Sequence, residues 1–159
     1  MSDVHSKAVR SENMRMIRSK NTKPEKYIRS LLHREGFRFR IHRKDLPSTP
    51  DIFLPKYQAV ILISSCFFHG HGCYLFTWPK SHCEYWYKKI TNNRVRDQRD
   101  LRELNIRGIK VLTIWTCAMK GKKKLTERFL LRQMSNWLIS SPVNSELSWL
   151  GMRVSNSCF

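Results

Sequence analysis

A chain of 159 residues that is 41% hydrophobic and 11% aromatic holds enough apolar material for one domain with a real core and needs no second. Thirty Lys and Arg against twelve Asp and Glu leave a formal charge of +18, which repels itself in a compact body unless a polyanion sits against it, so nucleic acid is the leading partner. A membrane surface is the rival, but no apolar run approaches spanning length and the basic residues are spread from end to end.

Met1-Ser2-Asp3-Val4-His5 lacks the apolar core of a signal peptide, which points to the cytosol. Residues 1–10 read as a polar, basic arm. Ser11 can cap a short helix to about Lys20, with Met14 and Ile17 three apart on one face among Arg15, Arg18 and Lys20. That face either packs on the core or lies along a DNA groove. Thr22-Lys23-Pro24-Glu25 reads as a helix start, with Thr22 at the N-cap and Glu25 closing a capping box; Ile28, Leu31 and Leu32 mark its buried stripe and Gly36 its end. Phe37, Phe39 and Ile41 alternate with Arg38, Arg40 and His42 at the period of a strand.

After Pro47 and Pro50, Asp51 to Leu54 and Ala59 to Ile63 flank the turn-like Pro55-Lys56-Tyr57-Gln58 as a hairpin of two largely buried strands. With the turn centred near Tyr57, residue 51 pairs with residue 62 or 63. Asp51 is thus either a turn former or a functional carboxylate level with the end of the second strand. Glu84 to Ile90 and Arg94 to Asn105 read as two helices, Val111 to Trp115 as a strand joined through a crossover, and Leu125 to Leu138 as the last helix, with Phe129, Leu130, Met134, Trp137 and Leu138 on its apolar face. Residues 140–159 read as a polar tail behind a domain spanning 1–139.

The stretch that carries most chemistry is Cys66-Phe67-Phe68-His69-Gly70-His71-Gly72-Cys73, which that second strand leads into. Two thiols and two imidazoles are ligands zinc prefers, and the glycines let the backbone bend so that they converge. Cys117 follows the 111–115 strand at the end where a sheet commonly builds a site, and is the natural fourth ligand for Cys66, His71 and Cys73. Five cysteines, an odd number, favour metal ligation or free thiols over a disulfide framework, with Cys83 and Cys158 as plain residues. Phe67 and Phe68 either plug the core or stand out to touch something flat.

The order helix, three strands, helices, strand, helix, with an acidic residue on the second strand, resembles the restriction-endonuclease-like α/β core with a mixed central sheet. More specifically, Asp51, the Cys66 to Cys73 loop, Asn92-Asn93-Arg94-Val95-Arg96-Asp97, Leu112 to Cys117 and the opening Asp3 to Met14 together resemble the very-short-patch-repair (Vsr) endonucleases. The resemblance implies a bacterial, nucleoid-associated enzyme, monomeric and acting beside mismatch-repair proteins, that nicks double-stranded DNA 5' of the thymine in a T:G mispair left by deamination of 5-methylcytosine. It implies magnesium held by Asp51 and the backbone carbonyl of Ile63, proton transfer by His69, and Glu25 and Asp97 near the metal-bound waters. It implies a structural zinc on Cys66, His71, Cys73 and Cys117. Phe67, Phe68 and Trp86 would wedge into the duplex, with Met14 and Ile17 entering from the opposite groove. This chain departs from the family in having Phe68 where Trp is usual, Ser65 where Gly is usual, and Ser64 where some members have His. Two rival readings are a zinc-stabilised DNA-binding protein without catalysis, which would need neither Asp51 nor His69, and a restriction-type nuclease on matched sites.

Overall fold

The computed structural model describes residues 6–17 and 19–155; residues 1–5 of the expected arm, Arg18 and Cys158 lie outside the described residues. The first helix, α1, is Lys7–Arg15, earlier than the expected start at Ser11, because the Ser6 hydroxyl already caps it by accepting from the Val9 amide at 3.3 Å. None of its residues is buried, so Met14 and Ile17 do not pack on the core.

The second helix, α2 (Lys23–Arg34), has Thr22 at its N-cap, and Gly36 beyond its end takes φ +85°, a conformation open to glycine. Residues 37–41 form no strand. Arg40 alone bridges Phe53, with both amide bonds at 2.8 Å, before His42 turns into the left-handed region and ends the pairing. The hairpin is present as β1 (Ile52–Leu54) and β2 (Ala59–Ser64), antiparallel, with Ile52 opposite Ile61 and a 3-10 turn at Pro55–Tyr57 between them.

The two helices expected between residues 84 and 105 are one, α3 (Cys83–Ile106). The Thr91-Asn92-Asn93 stretch is only a weak helix former, and a modest propensity loss does not break a helix that tertiary contacts hold. Next, β3 (Lys110–Trp115) runs parallel to β2, with Ile63 beside Ile114, so both strands end at the same edge of the sheet. Helix α4 is Glu127–Ser140, capped by the Thr126 hydroxyl.

The expected polar tail is in fact part of the sheet. β4 (Ser145–Ser148) pairs parallel with β3, and β5 (Gly151–Val154) pairs antiparallel with β4. The Ser- and Glu-containing pattern of β4 hides this, since Ser145 and Ser148 are buried polar residues. The result is a mixed five-stranded sheet in the order β1-β2-β3-β4-β5. Alternation along the strands sorts its two faces. Ile52, Leu54, Ile61, Leu112 and Ile114 pack with α2 and α4 through Leu31, Leu32, Leu130 and Met134, whereas Phe53, Val60 and Val111 pack with Leu104 of α3. Among the described residues, no helix is long and apolar enough to cross a membrane.

Candidate functional site

Because β2 and β3 are parallel and in register, the chain leaves both at one edge, and Cys66 and Cys117 follow immediately. The ligand atoms of Cys66, His71, Cys73 and Cys117 all lie within 4.8 Å of one another. His71 Nδ1 is 3.5 Å from Cys66 Sγ and 3.7 Å from Cys117 Sγ, and its ring stacks on Trp115 at 4.1 Å and 5°. The Cys66 thiol is pushed down to about 3, first by the Cys117 thiol and then by His71, Thr116 and the Cys117 amide as donors. Cys117 in turn is pushed up, chiefly by facing that thiolate and by burial. Three sulfurs with one imidazole, their ligand atoms already gathered, suit zinc. Cys83 stands apart, donating to the Pro79 carbonyl.

The loop that carries these ligands is held from α3. Asn93 Nδ2 donates to the Phe68 carbonyl at 2.8 Å, while Arg94 donates to the carbonyls of His69 at 3.0 Å and Gly70 at 2.6 Å. Gly70 takes φ +59°, and a Cβ there would stand 2.8 Å from the Ile90 side chain, so the close approach of loop and helix requires glycine.

Beside this cluster lies a cleft of about 690 Å³ whose lining includes Asp51, Ile63, Ser64, His69, Asp97 and Asp100. Asp51 Oδ2 accepts from the Ile63 amide at 2.8 Å, as the hairpin arithmetic anticipates. Burial, with a smaller contribution from the negative charge of Glu25, pushes the Asp51 carboxyl up to about 6, against the opposing pull of the Ile63 N–H and Arg29. His69 Nδ1 pairs with Asp97, and its ring meets Trp115 edge-on at 6.2 Å. With Nδ1 assigned to Asp97 in this way, Nε2 is the ring nitrogen left to exchange a proton.

Glu25 does not line the cleft. It is buried as the capping-box residue of α2, accepting from the Asn21 amide and the Thr22 hydroxyl, each at 2.9 Å. Phe67, Phe68 and Trp86 form one half-buried aromatic cluster, with ring centroids 5.0 Å apart for Phe67–Trp86 and 5.3 Å for Phe67–Phe68. Met14 and Ile17 are exposed on and just beyond α1, away from the core.

Three groups of residues emerge that the sequence reading left without a role. Arg29 joins Glu25 in a buried ion pair, a partnership that the i,i+4 spacing of opposite charges signals. Asn93 and Arg94 clamp the loop, and Trp115 supports both His71 and His69. Nothing in a local pattern marks these, since their partners come from other elements.

A polyanion drawn to a surface of charge +18 meets here a partly desolvated carboxylate and a His–Asp pair, which simple binding does not require. By its relatives the chain is a DNA endonuclease. The family model described as DNA mismatch endonuclease Vsr matches residues 2–75. The chain is 39% identical over 154 residues to the DNA mismatch endonuclease Vsr of Escherichia coli (strain K12), covering 97% of this chain and 99% of that protein. It is 48% identical over 128 residues to the Type II nicking enzyme V.XorIIP of Xanthomonas oryzae pv. oryzae, covering 80% and 94% respectively. To the Type II nicking enzyme V.NmeAIP of Neisseria meningitidis it is 40% identical over 138 residues, covering 86% and 99%. The chain belongs to the Vsr DNA mismatch endonuclease family.

Proposed function

We propose that this protein nicks one strand of duplex DNA on the 5' side of the thymine in a T:G mispair, on a restriction-endonuclease-like core, with one magnesium site for catalysis and one zinc site for structure. The observation that carries the reading is the cleft in which Asp51 and the His69–Asp97 pair share one wall system at the sheet edge.

The donor chemistry fits magnesium. Asp51 commits Oδ2 to the Ile63 amide, which leaves Oδ1 for a hard cation, and a carboxylate kept partly out of water gains from such a partner. In an extended strand the N–H and C=O of one residue point to the same edge, so the Ile63 carbonyl opens to the Asp51 side and can serve as second ligand. When bound, magnesium supplies polarisation of the scissile phosphate and a more acidic water. His69 exchanges the proton through Nε2, and Asp97 keeps its ring oriented and stabilises the imidazolium that forms.

Cys66, His71, Cys73 and Cys117 would hold zinc with no open position, so that metal shapes the loop and takes no part in hydrolysis. Phe67, Phe68 and Trp86 wedge between bases, while Met14 and Ile17 reach the opposite groove from a helix that spends none of its face on the core. A T:G wobble pair is weaker than a matched pair, so opening the duplex costs less there and deformability contributes to recognition.

The test uses labelled duplexes differing only in T:G against T:A, with magnesium or with chelator, resolved on a denaturing gel. A nick confined to the T:G strand and to magnesium is the expected result. Cutting of T:A duplex at the same rate would favour a matched-site nuclease, and no cutting of any T:G duplex would defeat the enzyme reading.

A further inference from the structure

The rings beside the zinc-ligand loop continue past Trp86 to the surface. Phe67 also meets Phe76 at 6.4 Å, Phe76 meets Trp78 edge-on at 5.1 Å, and Trp78 lies beside Tyr87 of α3 at 5.9 Å with 32° between the rings. The inner rings are half-buried, whereas Trp78 is 47% and Tyr87 64% exposed. The chain is built to hold Trp78 there: the Cys83 thiol donates to the Pro79 carbonyl at 3.2 Å, which folds the segment after Trp78 back onto the first turn of α3.

Neither outer ring joins the core on either face of the sheet. A tryptophan and a tyrosine left in water side by side forgo burial, and contiguous exposed apolar surface of this kind marks a contact site. The surrounding charge selects the partner. From Cys73 to Ile90 the chain carries Lys80, Lys88 and Lys89 against Glu84 alone, within a molecule of formal charge +18. The core of a protein–protein interface is depleted of charge, and of lysine in particular, whereas rings interleaved with lysines suit nucleic acid, base on ring and phosphate on ammonium. Intact duplex covers its base faces with neighbouring bases, so these rings can take only bases whose stacking has already been broken. The inner rings, which the proposed reaction uses to open the duplex at the mispair, lead directly to them.

We propose that Trp78 and Tyr87 form a stacking shelf for unpaired bases of DNA, separate from the wedge and continuous with it, which holds a strand open once Phe67, Phe68 and Trp86 have entered the helix. The inference rests on the reading of a nuclease that opens the duplex, and assigns to it a single-strand subsite. Trp78 and Tyr87 bind bases there and take no part in hydrolysis.

The test measures binding of the full chain, in magnesium-free buffer, to a thymidylate strand about ten nucleotides long and to an abasic strand with the same number of phosphates. The phosphate contribution is common to both, so the ratio of the two affinities reads the bases. The parent should prefer thymidylate by at least about fivefold, the low end of one base–aromatic stack. Trp78→Ala and Tyr87→Ala should each bring that ratio down toward one, while Trp78→Phe, which keeps a ring, should retain most of it. Matched-duplex affinity should hold in all three variants, since its base faces are covered, and shows that they fold. A thymidylate strand bearing one 5-iodouracil should crosslink under ultraviolet light to the peptide containing Trp78 or Tyr87. Parental base preference in both alanine variants, or crosslinks confined to Phe67, Phe68 and Trp86, overturns the shelf and leaves the nicking reaction intact. Variants that keep the preference but lose self-association would make the shelf a contact between copies of the chain, and overturn it equally. Parent protein that binds neither strand and nicks no T:G duplex overturns the proposed function, and the shelf with it.

Discussion

Asp51 carries two opposed demands. Its carboxyl rises from an ordinary 3.8 to about 6 through burial, a difference worth about 3 kcal/mol. The sign follows from the direction: the folded protein holds the proton more tightly, so this contribution to stability is fully present below 3.8 and lost as pH rises through 6. Asp51→Asn, which cannot ionise, should therefore be more stable than the parent at pH 8 in magnesium-free buffer, by up to about 3 kcal/mol, with the difference shrinking toward pH 4. Its nicking rate should fall by several orders of magnitude while DNA affinity holds or rises. Denaturant unfolding at the two pH values and mismatch nicking check both halves, and near-normal nicking would defeat the site. His69→Ala should also lose nicking yet keep divalent-ion binding, because its ring pairs with Asp97 and is assigned to the proton. Mn²⁺ binding measured beside activity separates the two roles.

At the scale of elements, the loop from Cys66 to Cys73 is fixed from below by four metal-ligand candidates and from the side by α3. Cys73→Ser or Cys117→Ser should lose the zinc together with folded stability, since structural zinc contributes on the order of 10 kcal/mol of apparent binding energy to folding. Elemental analysis finding no zinc in active, folded parent protein would sink that assignment. The same loop presents Phe67 against Trp86. Trp86→Ala, and Phe67→Ala more strongly, should reduce the preference for T:G over T:A duplex while leaving salt-dependent nonspecific binding nearly intact. Stacking is worth roughly 1–3 kcal/mol per base, whereas nonspecific affinity comes from Lys and Arg on phosphates. Competition binding at two salt concentrations measures it; unchanged preference in both variants would make these rings core residues.

For the whole molecule, the last two strands bind the sheet to the site. Trp115, on which His71 stacks, donates its indole N–H to Glu146 of β4 at 2.9 Å. Asn144 accepts from the Val111 amide at 2.9 Å, and Lys110 donates to the carbonyls of Trp137, Leu138 and Ser141 at the end of α4. Truncation after residue 141 should therefore expose the edge of β3, lower stability, and weaken zinc retention in whatever folds. Thermal unfolding and zinc release to a chromogenic chelator report this; a truncated chain with parental stability and zinc would show β4 and β5 to be dispensable.

Local pattern determined a good deal of this protein. The capping box at Thr22 and Glu25, the β1–β2 hairpin with Asp51 level with Ile63, and the strand leading to Cys117 all follow from periodicity and turn chemistry, which act within a few residues. The two apolar runs flanking Pro55 leave one register that buries both, and that register places the carboxylate. Tertiary structure decided what depends on partners distant in sequence. Residues 37–41 have a strand's alternation but only one bridge, because His42 turns away; α3 runs unbroken through weak helix formers because the loop it clamps rewards continuity; and β4 and β5, only four residues each, become strands because β3 offers an edge to β4 and β4 in turn offers one to β5. Glu25 shows the division within one residue: its capping role is written in Thr22-Lys23-Pro24-Glu25, whereas its burial against Arg29 behind Asp51 exists only once α2 packs on the sheet.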